Sequence, residues 1–446
     1  MNVFVIIISI LVSVICVLLA LVQHYYFITK FYKKPSIKYN SPEFEDLIPS
    51  HDKKVFELGY PINVETYEDT VLNDLTSALN SQPKEHSDTV KIMDRSKRKM
   101  GTDSEVYNTI QAALAFKMVG KNNKAMKLFE HASAMAPDNA DVLNWYGEFL
   151  EQQHHDVVTA DELYFKALTY SPDHKAALSN RKRTAPVVDR LDYKLFKEID
   201  NLKNVLKDRM KLDNFDSVKK QAYYLHIYHT VGIEGNTMTV EQLRYVLETG
   251  HVVSGKSLLE HNEILGLEKA MQYVKLLTRT DYIGIKEILG IHRRVMGHVD
   301  PIKSGVFRDE KVFIGSHIPP PHGEIPVLME NYIDWLNSEE AHSMHPVRYA
   351  ALAHYKLVDI HPFVDGNGRT SRLIMNLILL KAGYPPVMIL KEQREKYYDA
   401  LKTANMGDVK PFVRFVAQCT LQILDMYLYG TRALSIDGPE HQLMEF

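Results

Sequence analysis

The first long apolar stretch runs from Val3 to Val22 and carries no charge, its only hydroxyl side chains being Ser9 and Ser13. One helix needs roughly 20 apolar residues to cross a hydrocarbon layer, so the pattern predicts a transmembrane anchor over 1–24. Lys30, Lys33, Lys34 and Lys38 follow it. Charge bias alone would leave the following body in the cytosol. Residues 25–103 are polar and broken by Pro35, Pro42, Pro49, Pro61 and Pro83. They read as a stalk with short helices.

A repeat follows. Ala125, Phe129, Ala132 and Pro137 recur as Ala160, Tyr164, Ala167 and Pro172, each at an offset of 35 residues. Tetratricopeptide helix pairs repeat at about 34 residues with this kind of Ala, Phe and Pro spacing. Small alanines let paired helices approach, and the proline ends each second helix. The pattern predicts two such pairs over 104–184, the extra residue falling in the His154–Val158 turn. From Pro186, apolar positions at Leu191, Leu195, Ile199, Leu202 and Leu206 keep a helical period. They predict a linking helix over 185–215. Residues 216–434 read as one helical domain, except for an extended Val312–Ile314 ahead of Pro319–Pro321. The tail spans 435–446. The expected fold class is all-α.

Composition sharpens this only a little. The chain has 446 residues, 45% of them hydrophobic and 24% charged. That suits two to three domains with cores of their own. A net charge of −3 announces no nucleic-acid partner. The two cysteines, Cys16 and Cys419, leave the part beyond the anchor without an internal disulfide, and no Asn-x-Ser/Thr acceptor site is present. His226, His229, His154 and His155 read as side chains on polar helix faces or turns, not as a metal cluster.

The chemistry concentrates in His361-Pro362-Phe363-Val364-Asp365-Gly366-Asn367-Gly368-Arg369-Thr370-Ser371-Arg372. The string lies between two helical patterns, so it is a loop opening onto a helix amino terminus. Free N–H groups there carry partial positive charge. Gly366 and Gly368 permit tight turns and close approach of an anion. Arg369 and Arg372, at i and i+3, can face one ligand, and arginine forks match phosphate oxygens. Asp365 offers a hard oxygen for Mg²⁺. His361 suits proton removal near neutral pH. Together these point to phosphoryl chemistry.

The string resembles, at every defined position, the signature of the Fic family, His-Pro-Phe-x-Asp/Glu-Gly-Asn-Gly-Arg-x-x-Arg. The resemblance implies transfer of AMP from ATP to a Ser, Thr or Tyr hydroxyl of a target protein. His361 would be the base and Asp365 the ligand of Mg²⁺ (or Mn²⁺). Gly366, Asn367, Gly368, Arg369, Thr370, Ser371 and Arg372 would bind the phosphates. Val312–Ile318 is similar to the family's β-hairpin flap, with Ile314, Gly315, Ser316 and His317 against the nucleotide. Tyr397, Tyr398 and Asn405 match positions around the adenosine; the tyrosines alone would read as packing. Thr230-Val231-Gly232-Ile233-Glu234-Gly235-Asn236 resembles the family's inhibitory helix, in which Thr230, Glu234 and Gly235 restrain the enzyme through Arg372. In animal members with tetratricopeptide repeats the glutamate also supports AMP removal.

Those members are anchored in the endoplasmic reticulum with a lumenal body. They act on the chaperone BiP and form homodimers, here through Leu258, which alone could equally be a core leucine. The lumenal placement implied by the family runs against the charge bias of the anchor. Two other readings stand beside the leading one: a Fic transferase of a different phosphate-linked group, such as UMP or phosphocholine, and a repeat-based adaptor with a nearly silent Fic domain.

Overall fold

The computed structural model describes residues 104–212, 215–313 and 317–436. The expected anchor, the stalk, Ile314–Ser316 and most of the tail lie outside the described residues. The all-helical expectation is borne out there. No strand pair or hairpin is formed among the described residues, His317 being a lone bridge residue. No helix among them is long and apolar enough to cross a membrane.

The first four helices are α1 (Ser104–Met118), α2 (Asn122–Met135), α3 (Ala140–Phe149) and α4 (Val157–Tyr170). The repeated positions Ala125, Phe129, Ala132, Ala160, Tyr164 and Ala167 are all fully buried in one core. Asn139 caps α3 by accepting from the amides of Asp141 and Val142. Leu150–His154 forms a π-turn, closed by His155 in the left-handed region. A π-turn takes one residue more than an α-turn. The extra residue of the longer repeat is therefore absorbed at the end of α3, just before the turn where the sequence places it.

Helix α5 (Lys175–Arg209) starts well before Pro186 and carries that proline inside it. The apolar period counted from Pro186 therefore leaves out the first turns of this helix. Local bonds explain why. His174 caps the first turn through Nδ1, which accepts from the Ala177 amide at 3.0 Å, and its Nε2 lies 3.0 Å from Asp141. Helix α5 then runs from the first core, where Ala177 is buried, into the second, where Ile199 and Leu206 are buried.

The second core gathers α6 (Phe215–Ile233), α7 (Val240–Thr249), α8 (Leu258–Leu277), α9 (Ile285–Met296), α10 (Ile325–Leu336), α11 (Glu339–Ser343), α12 (Pro346–Ile360), α13 (Asn367–Lys381), α14 (Arg394–Asn405) and α15 (Lys410–Ile436). Helix α13 is its axis. Every residue from Arg369 to Leu379 is buried, as expected of a helix surrounded on all sides. Helix α15 is fastened to α4 and α5 by charge. Buried Arg414 donates to both oxygens of Asp192, at 2.6 and 2.9 Å, and to Glu162 at 2.9 Å. Lys410 pairs with Asp189 at 2.6 Å and Arg181 with Asp408 at 2.7 Å. Removing one partner of a buried charge pair costs about 3–5 kcal/mol, so the Arg414 bonds hold the two halves in one arrangement, while the more exposed Lys410–Asp189 pair adds little.

Candidate active site

The site is built on the amino terminus of α13. Gly366 caps that helix at φ 77°, a left-handed conformation that L side chains rarely adopt. A Cβ there would lie 2.9 Å from the sulfur of Met296. The first intrahelical bond is Thr370 N–H to Gly366 O at 2.9 Å. The amides of Asn367, Gly368 and Arg369 precede it and have no intrahelical acceptor.

The preceding loop is folded by its own side chains. Asn367 accepts from the Phe363 amide at 3.0 Å and donates to the Phe363 carbonyl at 2.9 Å. Phe363 stacks on His292, with centroids 3.6 Å apart. The Gly305 amide donates to His292 Nδ1 at 2.8 Å, so Nε2 carries the hydrogen and donates to the Asp365 carbonyl at 2.9 Å. The Asp365 carboxylate accepts from Gly366 N–H at 2.6 Å and from Arg369 Nη2 at 2.9 Å. Its side chain remains 64% exposed, leaving room for a cation beside it.

His361 ends α12 at φ 50°, itself left-handed. Its Nδ1 lies 3.2 Å from the Val358 carbonyl. A carbonyl only accepts, so Nδ1 carries the hydrogen and Nε2 the lone pair. Burial pushes this imidazole down to about 4, Arg308 and His317 push the same way, and the Val358 carbonyl and Asp365 oppose them. His361 is thus neutral and basic at Nε2 at physiological pH.

Two buried guanidiniums flank the helix start. Arg372 donates through Nη2 to a Glu234 oxygen and to the Thr230 carbonyl, the latter at 3.2 Å. Arg369 faces Glu263 at 3.6 Å. The Nε and Nη1 atoms of both arginines are buried without a hydrogen-bond partner. Unengaged arginine donors beside free helix amides are what an oligophosphate would satisfy. Glu234 follows the end of α6, where Arg394 Nε holds the Ile233 carbonyl at 2.8 Å and Gly235 turns at φ 107°. A Cβ on Gly368 would lie 2.9 Å from Glu234 Oε1, so only glycine lets this carboxylate sit over the helix start.

The remaining candidates divide. The Thr370 and Ser371 side chains are fully buried; Ser371 Oγ donates to Asn367 O at 2.8 Å, and Thr370 Oγ1 has no hydrogen-bond partner. Tyr397 is 1% exposed, with its hydroxyl 3.1 Å from His354 Nε2, and its ring lies under the Arg372 guanidinium. Tyr398 and Asn405 are exposed, with Arg394 over the Tyr398 ring at 4.9 Å. His317 Nε2 is 3.5 Å from Asp359 Oδ1. Leu258, the first residue of α8, is 72% exposed. Sequence reasoning missed His292, Glu263 and Arg308. Arg308 lies just before the extended segment, its only local signal.

The sequence profile of the Fic/DOC family matches residues 282–379. Over 340 residues the chain is 52% identical to "Protein adenylyltransferase Fic" of Culex quinquefasciatus, covering 76% of this chain and 68% of that one. The Drosophila melanogaster protein of the same name is 53% identical over 342 residues, covering 75% and 69%. Among solved structures, Fic-1 (aa134–508) from C. elegans superposes with a TM-score of 0.66 at 38% identity, covering 72% of this chain and 99% of that one. The chain belongs to the Fic family of animal protein adenylyltransferases, as the signature resemblance implies.

Proposed function

We propose that this protein adenylyltransferase works by the following division of labour. The acceptor hydroxyl gives its proton to His361 Nε2 while its oxygen bonds to the α-phosphorus of ATP. The bond from that phosphorus to the bridging oxygen breaks, and pyrophosphate leaves. The amides of Asn367, Gly368 and Arg369, with the free donors of Arg369 and Arg372, hold the phosphates. Asp365 fits a Mg²⁺ site: one exposed carboxylate beside a phosphate cradle is the usual protein share of such a site. The metal would supply charge neutralisation at the phosphates. Residues 312–318 form the flap that aligns the acceptor. Tyr398 and Asn405 face the adenosine, and Tyr397 supports Arg372 from behind.

Glu234 restrains transfer by occupying Arg372, and in a separate hydrolytic reaction it orients the water whose oxygen bonds to the phosphorus as the bond to the protein hydroxyl oxygen breaks, releasing AMP and the free hydroxyl. The observation that carries this reading is the Glu234–Arg372 pair, with the Glu234 carboxylate placed against Gly368 at the helix start.

The proposed target is BiP, in the lumen of the endoplasmic reticulum, with the chain anchored by 1–24. Sealed microsomes holding the full chain as its Glu234→Gly variant, given ATP labelled on the α-phosphate and then external protease, test both. Label on BiP and a protected catalytic body are expected. Digestion without detergent, or label absent from BiP, would remove the placement or the target respectively.

A homodimer through the surface around Leu258 is also proposed. Val252, Leu258 and Leu259 are exposed apolar side chains close in sequence. Leu258→Lys should halve the mass of the full chain in light scattering; an unchanged mass would sink this surface as the interface.

A further inference from the structure

Arg308 is 3% exposed and pairs with no carboxylate among the described residues, although burial works against its charge. Its whole fork is given to backbone carbonyls. Nε donates to His361 O at 2.7 Å, Nη1 to Glu310 O at 3.0 Å and Nη2 to Pro320 O at 2.6 Å. Its own amide donates to Pro362 O at 2.9 Å. One residue therefore holds two successive carbonyls at the base, those of His361 and Pro362, and both limbs of the segment that leads into and out of the flap region.

A buried arginine without a counter-charge is costly unless every donor is used. Three charge-assisted bonds to three chain segments offset that cost and fix relative position. Lysine, a point charge with no planar fork, could not hold the three carbonyls in this arrangement. The bond to His361 O matters because His361 sits at φ 50°, a region that a residue with a side chain occupies only when its surroundings hold it there. Nothing in the contacts of Arg308 reaches the phosphate cradle.

We propose that Arg308 is a positioning residue for AMP transfer, locking the left-handed turn of His361 to the limbs at Glu310 and Pro320 so that base and acceptor segment meet in register. It serves the protein acceptor and not the nucleotide. The inference rests on His361 being the base.

The test uses the full chain in a Glu234→Gly background, with Arg308→Met and Arg308→Lys. Transfer is measured from α-labelled ATP to BiP and, as a second acceptor, to the enzyme chain itself. Nucleotide binding is followed by titration calorimetry with Mg–ATP, which also reports folding. Arg308→Met should lower kcat/KM for the acceptor by about 100-fold and Arg308→Lys by about tenfold, with ATP affinity within about twofold of the parent. His361 is faced by Arg308, His317, Asp365 and the Val358 carbonyl. Removing the Arg308 charge should therefore move the acid limb of the rate profile upward in the Met variant and not in the Lys variant.

Transfer by Arg308→Met within about threefold of the parent would overturn the proposal, as would loss of ATP binding in step with transfer or an unmoved acid limb. His361→Ala in the same background separates the failures. If it kept transfer, the base assignment would fall and this inference with it. If it abolished transfer while Arg308→Met did not reduce it, only the role of Arg308 would fall.

Discussion

Glu234→Gly raises AMP transfer by roughly 100-fold, equivalent to about 2.7 kcal/mol of barrier, and abolishes removal of AMP. The physical case rests on the position of one carboxylate. Glu234 Oε1 lies 2.9 Å from where a Cβ of Gly368 would be, directly over the helix start. Phosphates brought to those amides meet its negative charge, and Arg372 must leave Glu234 to reach them. The Arg372 side chain is only 2% exposed, so this pairing is little screened by solvent. Glycine removes both the charge and the volume, and frees a guanidinium that is already in place. Glu234→Gln separates the two contributions. It keeps the volume and drops the charge, so its transfer rate should fall between those of wild type and Glu234→Gly. Equal rates for wild type and glycine variant, with label on BiP as the readout, would mean that the ion pair does not restrain the enzyme.

His361→Ala removes transfer almost entirely, by about 10³-fold or more, while ATP affinity is retained. General-base catalysis alone accounts for a loss of about 10²–10⁴. The pH profile gives an independent check. The imidazole must be neutral to accept the hydroxyl proton, and burial brings its value down to about 4. Protonation at lower pH removes the base, so activity is lost on acidification and not on alkalinisation. Transfer by a Glu234→Gly enzyme should therefore stay level from neutral pH down to about 5 and fall only as pH 4 is approached. A profile that bends near the ordinary histidine value would show that the site is wetter than its packing implies.

The parts of the site legible in the sequence are those that are contiguous. The loop from His361 to Arg372 and the segment from Thr230 to Asn236 each carry their chemistry within one turn of chain. Their meeting across 138 residues was read through family resemblance, not from periodicity. Arg308 and His292 were illegible for a physical reason. They act on backbone carbonyls 53 and 73 residues away, and a carbonyl leaves no mark on residue type. The adjacent Tyr397 and Tyr398 differ in burial because they point to different sides of α14, a distinction that two neighbouring aromatics do not signal. The apolar period counted from Pro186 left out the turns before it, because the start of α5 is set by the cap that His174 makes and by the packing of Ala177 in the first core.

That long helix also sets a distance. At 1.5 Å per residue, the 35 residues of α5 measure about 50 Å along the axis. One end is embedded among the helix pairs and the other among the helices around α13, with α15 bolted alongside. A short peptide can engage only one end of such a strut. A ligand that touches both must itself be of folded-protein dimensions, and its two points of contact must be spaced to suit. The molecule therefore carries a fixed gauge against which the size of anything that engages both ends is measured.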